Sequence, residues 1–150
     1  MKILDATAGA RAVWFDKTYP DATFIDVRPD GASGNVLMDC RHTTFPDGTF
    51  DLVVFDPPHM TCGPQSTMAE RYGHFLTSEI RDLVRDAFSE FHRLLRPDGL
   101  VAFKWNDHDT GLDRVLALVR GFDRLVGVPT AMRTKHSSTT YWVLLRRRDG

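Results

Sequence analysis

Residues 51–59 join an apolar run to three residue types that can do chemistry. Residues 52–55 are typical of a buried strand, which ends at Asp56-Pro57-Pro58-His59. Because proline disfavours the helical region for the residue before it, Asp56 is held extended at the strand end. A carboxylate beside a carbonyl offers two hydrogen-bond acceptors, which suit a planar amino group with two hydrogens. His59 can lie flat against the ring that carries that amino group.

The elements that must position this motif alternate between strands and helices, which predicts an α/β fold with a mostly parallel sheet. We expect strands over residues 2–5, 23–27, 35–38, 50–55, 100–105, 125–128 and 141–145. We expect a short helix ending at about residue 17, and longer ones over residues 77–96 and 112–119. The last two strands form an antiparallel pair around residues 129–139. Residues 60–76 show no periodicity, which is typical of a lid or a binding loop.

An aspartate follows or ends each of the first four predicted strands: Asp5, Asp26, Asp39 and Asp56. The carboxyl ends of neighbouring parallel strands lie at one edge of the sheet, where α/β folds bind ligands. There Asp26 can accept hydrogen bonds from both hydroxyls of a ribose. Asp39 can accept one from an adenine amino group, with the amide of Cys40 donating to a ring nitrogen. Each aspartate alone is more often a turn or cap residue, so the inference rests on the whole set.

The turn between Asp5 and Arg11 consists mainly of small residues and contains Gly9. A strand that runs into such a turn allows a ligand to approach the backbone closely. The fingerprint G-x-G-x-x-G is absent, so the turn does not indicate a pyrophosphate cradle. An ordinary tight strand-to-helix turn is the alternative interpretation.

The order of small-residue turn, strand-end acids and Asp-Pro-Pro-His resembles the Rossmann-like S-adenosylmethionine-dependent methyltransferases. Within them it resembles the amino-methylating branch, whose signature is [Asp/Asn/Ser]-Pro-Pro followed by an aromatic residue. The resemblance covers about residues 2–105. It implies one Rossmann-like methyltransferase domain over residues 1–150, with a mostly parallel sheet of about seven strands and an antiparallel C-terminal hairpin. It also implies S-adenosyl-L-methionine as the cofactor.

The resemblance assigns roles to individual residues. The methionine moiety of the cofactor would be held by the turn residues Asp5, Ala6, Thr7, Gly9 and Arg11. The ribose would be bound by Asp26, and the adenine by Asp39 and Cys40. The catalytic residues would be Asp56, Pro57, Pro58 and His59. Two positions depart from the family pattern, because Arg11 replaces a usual second glycine and His59 replaces the commoner tyrosine or phenylalanine.

The expected activity is methyl transfer to an exocyclic amino group of a nucleobase. Adenine N6 in DNA is the first choice of acceptor, narrowly ahead of an RNA base. Because the chain has no room for a separate target-recognition domain, a homodimer or an accessory recognition subunit is a reasonable partner. A methyltransferase acting on a small molecule or a protein is an alternative. A non-catalytic S-adenosylmethionine-binding module of a larger complex is another.

Basic side chains concentrate near the C-terminus, where residues 111–150 hold eight Lys/Arg against three Asp/Glu. This part can face a phosphate backbone, although an ordinary solvated surface explains it equally well. The candidate substrate contacts are Lys104, Asn106, Arg133, Lys135 and His136. For Asn106 a plain strand-end cap is the alternative.

Composition excludes several other classes of protein. With 42% hydrophobic and 26% charged residues, the chain reads as globular, and no apolar run reaches the length of a membrane span. Two cysteines make no disulfide framework, which favours a reducing, cytoplasmic setting. The six histidines show no metal-ligand spacing, so no metal site is expected.

Overall fold

The computed structural model describes residues 1–29, 31–59, 77–130 and 138–149. The elements in chain order are β1 (Ile3–Asp5), β2 (Ala22–Asp26), β3 (Val36–Leu37), β4 (Phe50–Phe55), α1 (Thr77–Leu94), β5 (Leu95–Asn106), α2 (Leu112–Leu116), β6 (Phe122–Pro129) and β7 (Thr140–Arg147). The loop predicted over residues 60–76 lies outside the described residues.

The seven strands form one sheet in the order β3-β2-β1-β4-β5-β7-β6. β1 to β5 pair in parallel, whereas β7 pairs antiparallel with both β5 and β6. The predicted fold class is confirmed: an α/β domain with a mostly parallel sheet and an antiparallel C-terminal pair. As in other sheets of this kind, the carboxyl ends of β1, β2 and β4 lie at one edge.

The core lies between this sheet and α1. Apolar residues recur three or four positions apart along α1, and the buried ones are Ile80, Val84, Ala87, Phe88, Phe91 and Leu94. Phe55, the last residue of β4, stacks on Phe103 of β5 with ring centroids 5.7 Å apart and meets Phe91 edge-on at 4.9 Å. These rings fix the end of β4, and with it the start of the Asp-Pro-Pro-His motif.

The opposite face of the sheet, which we call the second face, carries the alternate side chains of β5 and β7. On it Lys104 of β5 is paired with Trp142 of β7, and Trp142 is paired with Val128 of β6. Val128 is 54% exposed and Trp142 is partly exposed. This end of the second face is therefore accessible from solvent.

Several element boundaries differ from the sequence predictions. The longer helices end earlier, at Leu94 and Leu116. β5 begins at Leu95, where we expected a turn before residue 100, because buried Leu95 already pairs with Phe50 of β4. The pairing of β4 with β5 shifts register between Phe50 and Leu52. Asp98 has a left-handed φ of 60°, so the residues that favoured a turn form an irregularity within the strand.

The helix predicted to end near residue 17 is wrong, because residues 11–17 form turns and bends. Arg11 explains how this segment is held without a helix. Its backbone adopts the left-handed φ of 53° that a glycine would take, and its guanidinium lies 3.9 Å from the centre of the Phe24 ring. The same guanidinium donates to the carbonyls of Lys17 and Ser33 and to the Asn35 side chain.

Arg11→Met is therefore expected to lower the free energy of unfolding by about 2 kcal/mol, because three acceptors lose a charged donor. Urea denaturation followed by circular dichroism measures the change. Arg85→Met is the matched control, since Arg85 pairs with exposed acids on α1 and its loss should cost less than about 1 kcal/mol. Equal losses in the two variants would contradict the structural role of Arg11.

No helix in the described part of the chain combines the length and the apolar character that crossing a membrane requires.

Candidate functional site

Three of the four predicted acids come together at the carboxyl edge of the sheet. Asp26, Asp5 and Asp56 follow or end β2, β1 and β4, which are neighbours in the sheet. Asp5 in the middle is 2% exposed and lies in the field of the other two. Burial, helped by these negative charges, raises the pKa of Asp5 to about 6. This edge of the sheet, which we call the rim, thus brings together three carboxylates, groups that can bind a cationic or hydroxyl-bearing ligand.

Asp5 is held in a fixed orientation by two donors. One oxygen accepts a hydrogen bond from the amide of Thr7 at 3.2 Å, and the other accepts one from the indole N–H of Trp14 at 2.7 Å. Trp14 in turn packs edge-on against Phe24 of β2. The sequence spacing gave no signal for this bond between Trp14 and Asp5.

The small-residue turn after β1 extends the sheet towards its neighbours. The amide of Ala6 donates to Val54 of β4, and the amide of Ala8 donates to Ile25 of β2, at 2.9 and 3.0 Å. The hydroxyl of Thr7 accepts the amide of Asp56 at 2.9 Å. The turn and the Asp-Pro-Pro-His motif are thereby joined directly, as a site shared between them requires.

Gly9 is the residue of this turn that contacts Asp26 at the end of β2. Its amide donates to Asp26 at 2.7 Å, and its φ of 46° is one that glycine adopts readily. A Cβ here would lie 3.0 Å from the Arg28 guanidinium. The carbonyl of Gly9 accepts the Ala32 amide and the Asn35 side chain, each at 2.8 Å. The segment after β2 therefore folds against the turn.

Asp26 is in the predicted place, and its carboxylate is satisfied by the chain. One oxygen accepts the Gly9 amide, and the other accepts the amide and the guanidinium of Arg28. The side chain is only 6% exposed. The ribose contact predicted for Asp26 stays a prediction.

Asp39 lies just after β3 and forms a close ion pair with Arg41, whose guanidinium reaches both carboxylate oxygens at 2.6–3.1 Å. Hydrogen bonds from Arg41 lower the pKa of Asp39, which stays ionised. The thiol of Cys40 is buried, and burial raises its pKa to about 12, so it is not a nucleophile at neutral pH. The adenine contacts predicted for Asp39 and for the Cys40 amide stay predictions.

Asp56 has a partner that the sequence did not reveal. The ammonium of Lys104 donates to one of its oxygens at 2.7 Å, and both side chains are about a quarter exposed. The pairing follows from register: Phe55 is opposite Phe103, so Asp56, directly after β4, meets Lys104 of β5 on the second face. The second oxygen of Asp56 lies 4.0 Å from Nδ1 of His59.

His59 folds back on its own motif. Its Nδ1 lies 3.0 Å from the Pro57 carbonyl, which can only accept, so the neutral ring carries its proton on Nδ1. Burial lowers the pKa of His59, which favours the neutral form. The Pro57 carbonyl, predicted to bind an acceptor amino group, thus already receives one donor and keeps one lone pair. Pro57 is buried and Pro58 is partly exposed.

Other predicted residues lie away from the rim or are engaged elsewhere. Arg11 binds the chain around β2, as described, and its cofactor contact stays a prediction. Both ends of the Asn106 amide bond within the protein, to Thr140 and to the His108 amide, which fits the strand-end alternative. Three candidates lie outside the described residues: Arg133, Lys135 and His136. Within the described residues, no group of three His, Cys, Asp or Glu side chains is arranged to hold a metal ion.

The fold is shared with solved structures. A protein from Pyrococcus horikoshii OT3 matches with a TM-score of 0.69 and 16% identity, over 98% of this chain and 82% of that one. The N-methyltransferase NodS from Bradyrhizobium japonicum WM9, solved in complex with S-adenosyl-l-homocysteine, matches with a TM-score of 0.60 and 16% identity. The match covers 98% of this chain and 76% of NodS. A TehB-like SAM-dependent methyltransferase from Corynebacterium glutamicum ATCC 13032 matches with a TM-score of 0.62 and 18% identity. The match covers 98% of this chain and 80% of that one. At these identities the likeness shows a Rossmann-like methyltransferase fold.

No family model and no curated protein matches this chain.

Proposed function

We propose that this protein is an S-adenosylmethionine-dependent methyltransferase that methylates an amino group attached to a planar ring. A nucleobase amino group, with adenine N6 first, is the acceptor that the Asp-Pro-Pro-His motif favours. The observation that carries the proposal is the alignment of Asp26, Asp5 and Asp56 on three neighbouring strand ends. The fold supports it too, since NodS of the same fold was solved with S-adenosyl-l-homocysteine.

The residues at the rim fit S-adenosylmethionine by their chemistry. The ligand carries a sulfonium, an ammonium and two ribose hydroxyls, and carboxylates suit all of these groups. Asp26 would accept the hydroxyls, while Asp5 would face the methionine part beside the turn. Gly9 keeps this part of the turn free of a side chain that would otherwise press on Arg28. When bound, S-adenosylmethionine supplies an electrophilic methyl group.

Asp56 would act on the acceptor. An exocyclic amino nitrogen shares its lone pair with its ring and is a poor nucleophile. Hydrogen bonds from its two hydrogens to Asp56 and to the Pro57 carbonyl would localise that lone pair. As nitrogen takes the methyl group, the bond from that methyl group to the donor sulfur would break and nitrogen would become positive until it releases a proton to solvent. The Asp56 carboxylate would stabilise that positive charge most strongly in the transition state. Lys104 binds one oxygen of Asp56 and leaves the other available to the acceptor.

Cofactor binding is tested with the Asp26→Asn variant. S-adenosylhomocysteine should bind the wild-type protein, and the variant should bind at least about 10-fold more weakly, because one of the two acceptor oxygens is lost. Isothermal titration calorimetry measures both affinities. Asp21→Asn is the matched control, since Asp21 is half exposed and lies at the opposite edge of the sheet. If neither protein binds S-adenosylhomocysteine, the proposed cofactor is wrong.

Acceptor class is tested separately. Mass spectrometry of nucleosides after co-expression reports a methylated base directly. Labelled methyl transfer to DNA, RNA, small molecules and extract proteins then distinguishes the acceptor classes. Cofactor binding without transfer to any of them would instead favour a non-catalytic module of a larger complex.

A further inference from the structure

A row of side chains runs along the second face from Asp56 to the edge of the sheet. Phe55 is opposite Phe103, so Asp56 neighbours Lys104; Lys104 is opposite Trp142, and Trp142 is opposite Val128. Side chains directly opposite each other on adjacent strands lie about 5 Å apart at Cβ. A ligand bound at Asp56 therefore has Lys104 and Trp142 beside it.

Trp142 differs from the other two tryptophans. The indole N–H of Trp14 donates to Asp5, and that of Trp105 donates to the Thr110 carbonyl. Among the described residues, the indole of Trp142 has no hydrogen-bond acceptor and no aromatic ring packed on it. A partly exposed indole usually keeps its N–H for a partner, and its ring is a flat apolar surface for another ring.

Lys104 can bind a further group while it keeps its ion pair. Its ammonium has three N–H donors, and Asp56 takes one of them at 2.7 Å. About a quarter of the side chain is exposed. An anion that meets Lys104 gains a charge-assisted hydrogen bond from one of the two remaining N–H groups.

We propose that the methyl acceptor is a planar ring bearing both an amino group and an anionic group, with the anion held by Lys104 and the ring against Trp142. The proposal rests on the proposed function, since it places the amino group at Asp56. The anion is either a carboxylate on a small aromatic molecule or the phosphate of a nucleotide. The two sources present the same chemistry to Lys104, and the test separates them.

The test compares two matched pairs of probes: 4-aminobenzoate with aniline, and adenosine 5′-monophosphate with adenosine. Titrations are followed by the indole N–H signals of ¹⁵N-labelled protein, with Trp142 assigned by Trp142→Phe. They are run with and without S-adenosylhomocysteine, so that a failure of the cofactor proposal is seen independently of the acceptor result. In at least one pair, the anionic probe should bind at least about 10-fold more tightly and shift the Trp142 signal. The pair that does so identifies carboxylate or phosphate.

Lys104→Met should reduce this preference to about equal affinity within the pair, and Lys104→Arg should keep it. Affinity for S-adenosylhomocysteine should stay within about twofold of wild type in both. Lys17→Met is the control, since Lys17 is an exposed lysine away from the row. The proposal is overturned if both pairs bind without preference for the anion, if no anionic probe binds, if Lys104→Met keeps the preference, or if the Trp142 signal does not move.

Discussion

Asp56→Ala should bind S-adenosylhomocysteine as tightly as wild type and lose methyl transfer by about 10²–10³-fold, the effect of removing one preorganised electrostatic group from a reaction centre. The carboxylate is partly exposed, so the reacting nitrogen can reach it. No described contact joins it to Asp26, which is assigned to the ribose. Transfer of labelled methyl to the acceptor found by nucleoside mass spectrometry measures the loss. Calorimetry measures the binding.

Two further variants define what the carboxylate contributes. Asp56→Asn keeps one acceptor oxygen but no negative charge, and its transfer rate should fall between wild type and Asp56→Ala. Asp51→Ala removes a carboxylate at the other end of β4, bonded to the Lys2 amide and to Arg96. It should transfer methyl at a rate close to wild type. Near-normal turnover in Asp56→Ala would show that the motif is not catalytic.

The sequence predicted those parts of the fold that are determined by local sequence. β4 has the predicted bounds because β-branched and aromatic residues run up to a proline pair. α1 begins where predicted, at Thr77, because its apolar positions recur at helical spacing. The positions of Asp5 and Asp26 were predictable because each residue ends its strand. In each case the signal lies within one continuous stretch of the sequence.

Parts that depend on contacts between distant segments were not predictable. Arg11 breaks the glycine pattern of the turn, yet its backbone keeps a glycine-like φ and its side chain bonds residues up to 24 positions away. The pair of Lys104 and Asp56 spans 48 positions and requires the register of β4 against β5. A period-two pattern shows that Lys104 and Asn106 share a face, but it does not show which neighbour each side chain meets.

Asp5 shows how the site affects stability. A carboxylate that is 2% exposed, with two other acids nearby, is unfavourable when ionised. The two hydrogen bonds from Thr7 and Trp14 offset only part of this cost, since the pKa of Asp5 is still raised to about 6. A buried ionised carboxylate does not stabilise the hydrophobic core. It can, however, strengthen the binding of a cationic ligand, because the ligand neutralises its charge.

Asp5→Asn should therefore stabilise the protein at neutral pH. The folded-state pKa of about 6 lies above the ordinary aspartate value of 3.8, so between these values the folded state keeps a proton that the unfolded state has released. Stability from this group is full below about pH 4 and is lost as the pH rises through 6, by about 3 kcal/mol for about two pKa units. Asparagine carries no such penalty but loses one of two acceptor oxygens, about 1 kcal/mol. A net gain of about 2 kcal/mol at pH 7.5 is expected.

Urea denaturation of both proteins from pH 4 to 8 measures this difference. Asp5→Asn should gain on wild type as the pH rises to about 6.5 and then hold a constant advantage, while its affinity for S-adenosylhomocysteine falls. Asp51→Asn is the control with the opposite sign, because the Lys2 amide lowers the pKa of Asp51 and its charge stabilises the fold above pH 4. If the difference in the free energy of unfolding between Asp5→Asn and wild type does not vary with pH, the ionised carboxylate does not destabilise the fold. The argument that Asp5 is present to bind a cationic ligand would then fail.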